Sequence, residues 1–537
     1  MAYIVGRKVN GKKYFMKVEG YRKNGKVKQR VIEYYGVKDP RKDPAALPLT
    51  KKSVVATRRF GDAALLYRAA LQISLIDVVN RYVPKRQGLS LGLELFLVAA
   101  HRLLDDKPSS CNLSRWVETT HLPLLLGFDA SKLTTDSQDY LMDKLFNKER
   151  NVDHLFRISK DLYDATLPLF GKEGKTFFYD LTSTYFEGRC CPIAKMGYNR
   201  DGDIDRLQVN IGMVVNGAYG IPIMTKVFEG NINDAITVYE MAYYMRFAFG
   251  KKEGLLIMDR GMDSEDNVRI LDAIHYDFIV GLRANHGFVE KLKRTTDATS
   301  SDWESLDKNG VTMKLKKFGK NVFGKRRTVL LYYNPEIARL QRELREKRVE
   351  NAVAVLKKTE NLTFDAAKEA VRGLGKYVIV TESGTRLSWR VDKVALNKAE
   401  RQDGKFCLLT NVNAGPREIF GLYFSKDKIE KGFRSMKQDA DLHPTRKRLT
   451  DHVIADVFVC HIAYLLLRAA EQLARQKKID VFWDGLSSET REIRLLEQQD
   501  GNRRRSFQIV ANNEKQKAIV EKLELSKQMP FITTSQK

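Results

Sequence analysis

Two aspartates and one polar helical face are the parts of this chain that could do chemistry. Asp180 follows Phe177-Phe178-Tyr179 and Asp259 follows Leu255-Leu256-Ile257-Met258, so each acid is expected to end a short run of strand type. An acid at the end of a buried strand is where a sheet presents a metal ligand to a crevice. An Asx turn is the plainer role for either residue. The third piece is YFSKDKIEKGFRSMK, from Tyr423 to Lys437. Wound as one helix at about 100° per residue, it puts Tyr423, Lys426, Glu430 and Lys437 within an arc of roughly 60°. That face carries a phenol, two ammoniums and a carboxylate, while Ile429, Phe433 and Met436 line the adjoining sector and can pack on a core. An exposed helix with ordinary Lys–Glu pairs is the alternative, because such pairs are common and individually weak.

The elements that must position these groups begin near Lys175. TFFYDLT, VNIGMVV, IPIMTKVF, LLIMD and YDFIVGL are short and rich in β-branched and aromatic residues, with turn-rich joints at Asn199 to Asp205 and at Asn216-Gly217. Three strands, a helix, a strand, a helix and a strand make a mixed α/β order.

Asp180 in YDLTSTYFEG, Asp259 in LLIMDRGM and Glu430 within Y-x2-K-x3-E-x6-K resemble the three acids of the DDE transposases of bacterial insertion sequences. The branch it is similar to carries Tyr, Arg, Glu and Lys at these spacings; Tyr423, Glu430 and Lys437 match, and Lys426 stands where Arg is usual. Lysine cannot reproduce a planar bidentate grip on phosphate. The segments GYNRDGDIDRLQVNIGMVVN and GIPIMTKVFEGNINDA also resemble the family, so the similarity runs from about Lys175 to Leu467 with an interruption. It implies an α/β fold, a ribonuclease-H-like mixed sheet with an inserted, mainly β subdomain, preceded by a small β-meander and a helical module. It further implies catalysis by Asp180, Asp259 and Glu430 holding two Mg2+ ions, with Mn2+ as a substitute. Hard cations of this kind take oxygen ligands, with Asp259 bridging the ions that Asp180 and Glu430 hold. Water would free a 3′-hydroxyl at a transposon end, which would then attack target DNA, while Tyr423, Lys426 and Lys437 position phosphates. A nuclease that cuts without joining and a DNA-binding derivative without catalysis are the alternatives.

Composition agrees with a polyanionic partner. The chain has 537 residues, with 93 Lys and Arg against 67 Asp and Glu, a net charge of +26, and its 43% hydrophobic residues can fill real cores. Nucleic acid is the first candidate, and the resemblance implies double-stranded DNA, as transposon ends and as target, with a homodimer in the DNA complex. No uninterrupted apolar run reaches membrane-spanning length: the best stretch, Val457 to Leu467, lies between Asp456 and Arg468 and contains His461. Five cysteines without CxxC spacing indicate neither a disulfide framework nor a zinc site. A reducing cytoplasm fits best, and the resemblance implies a bacterial one, with the protein on the nucleoid when bound to DNA.

The expected organisation follows the pattern changes. Residues 1–60 hold 17 Lys and Arg against 4 Asp and Glu and read as a basic β-meander touching DNA, with turns at Asn10-Gly11 and Asn24-Gly25, followed by a linker marked by Pro40, Pro44 and Pro48. Residues 61–169 show apolar spacings of three and four and read as a helical, DNA-binding module, with Ser90 and Ser137 as caps. The catalytic core is placed at 170–282 and 404–475, an insertion subdomain at 283–403 and a C-terminal tail at 476–537. Within the insertion, Trp389 could stack on an unpaired base, a core position being its bland alternative. Arg446 and Lys447, in the knot His443 to Arg448, could hold a DNA backbone one loop beyond Glu430.

Overall fold

The computed structural model describes residues 2–9, 11–23, 26–42, 53–171, 174–187, 190–197, 206–308, 310–358, 363–383, 386–479, 482–499 and 505–529. Asn10, the Asn24-Gly25 turn, Pro44 and Pro48, the joint at Asn199 to Asp205, and Arg503-Arg504 lie outside them. The chain divides into two units: Met1–Lys172, Tyr185–Pro192 and Arg434–Lys537 form one, and Glu173–Thr184 and Ile193–Phe433 the other.

The second unit is built on a mixed sheet of nine strands. Across it they run Glu304–Lys308, Val311–Val322, Lys325–Tyr333, Lys405–Thr410, Tyr276–Leu282, Gly254–Met258, Thr176–Tyr185, Gln208–Asn216 and Pro222–Glu229. Gly254–Met258 pairs in parallel with both Tyr276–Leu282 and Thr176–Tyr185. Phe177, Phe178, Tyr179, Leu256, Ile257, Met258, Phe278, Ile279 and Val280 are all buried, the continuous apolar run that a strand covered on both faces requires. Between Gly254–Met258 and Tyr276–Leu282 the chain returns through the helix Glu265–Ala273, which starts where the Ser264 side chain accepts from Asn267 N–H.

Two expectations are corrected in this sheet. Asp180 does not end its strand, because Thr182, Thr184 and Tyr185 keep the backbone extended to Tyr185. The insertion is not a separate, mainly β subdomain. Its first three strands join the main sheet, Lys325–Tyr333 lying antiparallel to Lys405–Thr410, which itself lies antiparallel to Tyr276–Leu282. Outside the sheet lie the helix Gly287–Thr295 before those strands and, after Tyr333, the helices Pro335–Lys358, Phe364–Ala370 and Lys393–Glu400 with a hairpin of Val378–Ser383 and Arg386–Val391.

In the first unit, Ala2–Val9, Lys12–Lys23 and Lys26–Gly36 form an antiparallel meander. Helices follow from Gly61–Gln72 to Leu155–Phe170. Ser90 caps Leu91–Leu104, whereas Thr134, not Ser137, caps Thr135–Leu145 by accepting from the Ser137 N–H. The C-terminal stretch is a folded part rather than a tail: Arg494–Gln499 pairs with Ser53–Arg59 on one side and Arg505–Val510 on the other. The expected boundaries also differ at Thr450–Gln476, which packs in this unit with the helices Gly61–Gln72 and Leu91–Leu104. That helix is long and apolar enough to cross a membrane, but 89% of its most apolar window is buried within the protein, so it serves as a core helix.

A buried ion pair locks this core. Arg102 pairs with Asp456 and donates to the carbonyls of Ala440 and Asp441 at 3.2 and 3.3 Å. Burial disfavours its charge, and the Asp456 carboxylate, with Cys460 and Asp441, more than restores it, so the guanidinium is held above its ordinary range. Replacing Arg102 by Met strands Asp456 and should cost about 3–5 kcal/mol in urea unfolding. A loss below about 1 kcal/mol, the worth of an exposed pair, would refute this.

Candidate active site

Register brings the two aspartates together. The strands pair Leu255 with Thr176, Leu256 with Phe177, Ile257 with Phe178 and Met258 with Tyr179. Asp259 and Asp180 are the next residue of each, and Asp259 keeps extended backbone, so both carboxylates project on one face of neighbouring strands about 4.8 Å apart. Asp180 Oδ1 accepts from Leu181 N–H at 2.8 Å.

The Tyr423 to Lys437 stretch is not one helix. Pro416–Phe424 ends, Ser425 and Lys426 form a turn, and Asp427–Gln438 begins. The Ser425 hydroxyl donates to Leu422 O at 2.7 Å and Lys426 N–H reaches Tyr423 O at 3.3 Å, a three-residue winding tighter than an α-turn. The single polar arc is therefore replaced by a convergence from two helices. Tyr423 Oη and Lys426 Nζ both donate to Asp259 Oδ1, at 3.2 and 3.0 Å, and Lys426 Nζ lies 3.7 Å from Glu430 Oε1. Ile429, Phe433 and Met436 are buried, as their spacing predicts.

Charge settles the protonation of this cluster. Burial pushes the Asp259 carboxyl up, but the Lys426 ammonium and hydrogen bonds from Lys426, Arg260 N–H and Tyr423 hold it below the usual carboxylate range. Burial works against the Lys426 ammonium, and Asp259, with help from Asp180 and Glu430, raises it above its ordinary value. Tyr423 is pushed far above the ordinary phenol range, by burial first and then by Asp259 and Tyr332.

Supporting residues escaped sequence reasoning. Lys428 donates to the carbonyls of Gly217 and Ala218, tying the Glu430 helix to the turn after Asn216. Arg283 and His286 bond the fully buried carboxylate of Asp263, the His286 contact being 2.9 Å, which pins the turn after Asp259 to the end of Tyr276–Leu282. Gly281 faces Tyr423, where an added Cβ would lie 2.8 Å from its Oη. A glycine inside the strand run YDFIVGL was the one legible sign, marking a close approach.

The other residues singled out in the sequence fall elsewhere. Lys437 is seven residues along the helix from Glu430, two turns on. Trp389 packs against the cluster of Val349, Leu356, Leu374 and Val378, its core alternative, and no contact joins it to the acids among the described residues. Arg446 pairs with Glu187 at 3.2 Å and Asp441 at 3.7 Å, and Lys447 with Asp139 at 3.6 Å, so both already have acidic partners.

The donor chemistry of Asp180, Asp259 and Glu430 fits a hard divalent cation, since all three offer carboxylate oxygens. Among the described residues, however, no three acids gather closely enough to hold a metal ion. Lys426 places an ammonium beside both Asp259 and Glu430.

Residues 174–466, more than half of the chain, match a family described as Transposase DDE domain. A cryo-EM structure of a piggyBac transposase synaptic complex with hairpin DNA aligns over 81% of this chain and 80% of its own, at 8% identity and a TM-score of 0.37. No curated protein matches the chain.

Proposed function

Since the chain belongs to the Transposase DDE domain family, we propose that it binds the terminal inverted repeats of an insertion sequence, cleaves the ends by metal-dependent phosphodiester hydrolysis and joins the freed 3′-hydroxyls to target DNA. The observation that supports this most is the in-register placement of Asp180 and Asp259, with Glu430 linked to Asp259 through Lys426. In this reading the sheet is the ribonuclease-H-like core, and Asp180, Asp259 and Glu430 would hold Mg2+ or Mn2+. A bound divalent ion supplies charge that activates an attacking oxygen and steadies the leaving one.

The chain's own groups do the rest. Lys426 keeps Asp259 ionised and turned toward Glu430. Tyr423 retains its proton at any working pH, so its hydroxyl donates to Asp259 and orients it rather than acting as a base. Tyr423, Lys426 and Lys437 would steady phosphates, Lys426 as a point charge where a guanidinium would make two bonds. The protein would act as a homodimer on DNA in a bacterial cytoplasm.

The test is strand transfer with pre-cut transposon ends and a plasmid target in Mg2+. Joined products are expected; cleavage of intact ends without joining of pre-cut ones would make the protein a nuclease instead.

A further inference from the structure

A second site lies in the other unit, where the first and last parts of the chain meet. Thr57, Arg59, Asp105, Asn112, Arg115, Trp116, Thr119 and Arg494 line a cavity of about 470 Å3. Three of its side chains are guanidiniums and one is a carboxylate. Arg494 stands directly opposite Arg59 in the antiparallel pairing of Arg494–Gln499 with Ser53–Arg59. Like charges in that arrangement destabilise a sheet unless something answers them. Arg59 is answered in part, by Asp62 at 2.6 Å and by the Leu104 carbonyl at 2.9 Å, yet its Nε is buried with no hydrogen-bond partner. Arg115 and Arg494 have no ion pair or side-chain hydrogen bond among the described residues. Trp116 is 5% exposed, and its Nε1–H is likewise buried without a partner. The one carboxylate, Asp105, is already engaged with His101 Nε2 at 3.0 Å.

Three guanidiniums around one cavity, those of Arg115 and Arg494 without a partner among the described residues, call for an anion. We infer that this cavity holds a backbone phosphate of duplex DNA, with Arg115 and Arg494 as its charged contacts. Beside the Trp116 ring and the Asp105 carboxylate, the walls carry three guanidiniums, two threonine hydroxyls and the Asn112 amide, groups that suit a phosphate. Thr57, Asn112, Arg115 and Thr119 are exposed, so the site opens outward as a continuous polymer requires. The strand Ser53–Arg59 also ends the stretch of residues 1–60 that carries 17 Lys and Arg against 4 Asp and Glu. Guanidinium forks match phosphate oxygens and read no base edge there. The inference rests on the reading of the protein as one that acts on DNA.

The experiment is fluorescence anisotropy of labelled duplexes, one carrying a transposon end and one of random sequence, titrated with the full chain at several salt concentrations. The double variant Arg115→Gln, Arg494→Gln should flatten the slope of log affinity against log salt by about 2 and weaken both duplexes by the same factor. Neither guanidinium holds another part of the fold, so its melting should match the parent; if it does not, Arg115→Gln alone carries the test with a slope change of about 1. An unchanged slope overturns the inference. So does inorganic phosphate that raises the melting temperature of the parent and not of the variant while DNA binding is untouched, because the cavity would then serve a free anion. Cleavage is not read in this titration, so the site of the three acids stands or falls separately.

Discussion

Glu430→Gln should abolish cleavage and joining, by about 1,000-fold or more, while DNA binding and melting temperature stay near the parent. Glutamine keeps the shape and hydrogen bonding of the side chain but removes the negative charge that would hold an ion, and metal charge stabilisation is worth several kcal/mol. Among the described residues Glu430 pairs with Lys426 alone, at 3.7 Å, and its side chain is exposed. A purely structural pair of that kind contributes about 0–1 kcal/mol, so a structural role predicts almost no change in rate. Asp180→Asn and Asp259→Asn should lose activity equally. Asp259→Asn should in addition lower the melting temperature, because Tyr423 and Lys426 both anchor on that carboxylate. The readout is Mg2+-dependent cleavage of a labelled transposon end beside a gel shift on the same preparation. Cleavage by the Gln variant near the parent rate would remove Glu430 from the site.

Gly281→Ala should slow cleavage by about 10- to 100-fold although the residue touches no substrate, since displacing a positioning group by about 1 Å costs that much. The new Cβ would sit 2.8 Å from Tyr423 Oη and 3.2 and 3.3 Å from Cβ and Cα of Arg260. Arg260 follows Asp259 directly and its backbone cannot yield without carrying the carboxylate with it, so Tyr423 moves. Tyr423 is packed against Phe424, within a cluster of rings that also holds Tyr332 and Phe420, which leaves it little room. Overpacking of this kind costs about 1–3 kcal/mol of stability. Adding Tyr423→Phe removes the atom that collides and should restore the melting temperature without restoring the rate. A Gly281→Ala protein that cleaves like the parent would show that Tyr423 need not hold Asp259.

Periodicity made the outlines of the fold legible: the helices after Gly61, the strands around Asp180 and Asp259, and the buried sector of Ile429, Phe433 and Met436 follow from local patterns that tertiary packing had no reason to override. What stayed hidden was non-local. The pairing of Ser53–Arg59 with Arg494–Gln499 joins segments with no shared pattern, so the C-terminal part read as a tail. The strands of the insertion carry the same alternation whether they form their own sheet or extend another, and only the partner strand Lys405–Thr410 decides. The turn at Ser425-Lys426 was hidden for the opposite reason. A helix wound slightly tighter over two residues breaks no propensity rule, yet it moves Tyr423 and Glu430 onto separate helices. Lys428 and Asp263 act through backbone groups and buried partners, which residue type does not reveal.

The excursion beyond the sheet has one doorway. Asn334 N–H donates to Gly404 O at 2.8 Å, and Gly404 has φ +67, where a Cβ would meet Asn334 O at 2.3 Å. Residues 335–403 thus depart and return through a single pair of facing strands, and they carry their own apolar cluster around Val349, Leu356 and Val378. Arg345 and Asp403 close the threshold with two hydrogen bonds, at 2.9 and 2.6 Å. Such a piece is portable: exchanging it for a reporter domain should leave the register of the strands that deliver Asp180 and Asp259 intact.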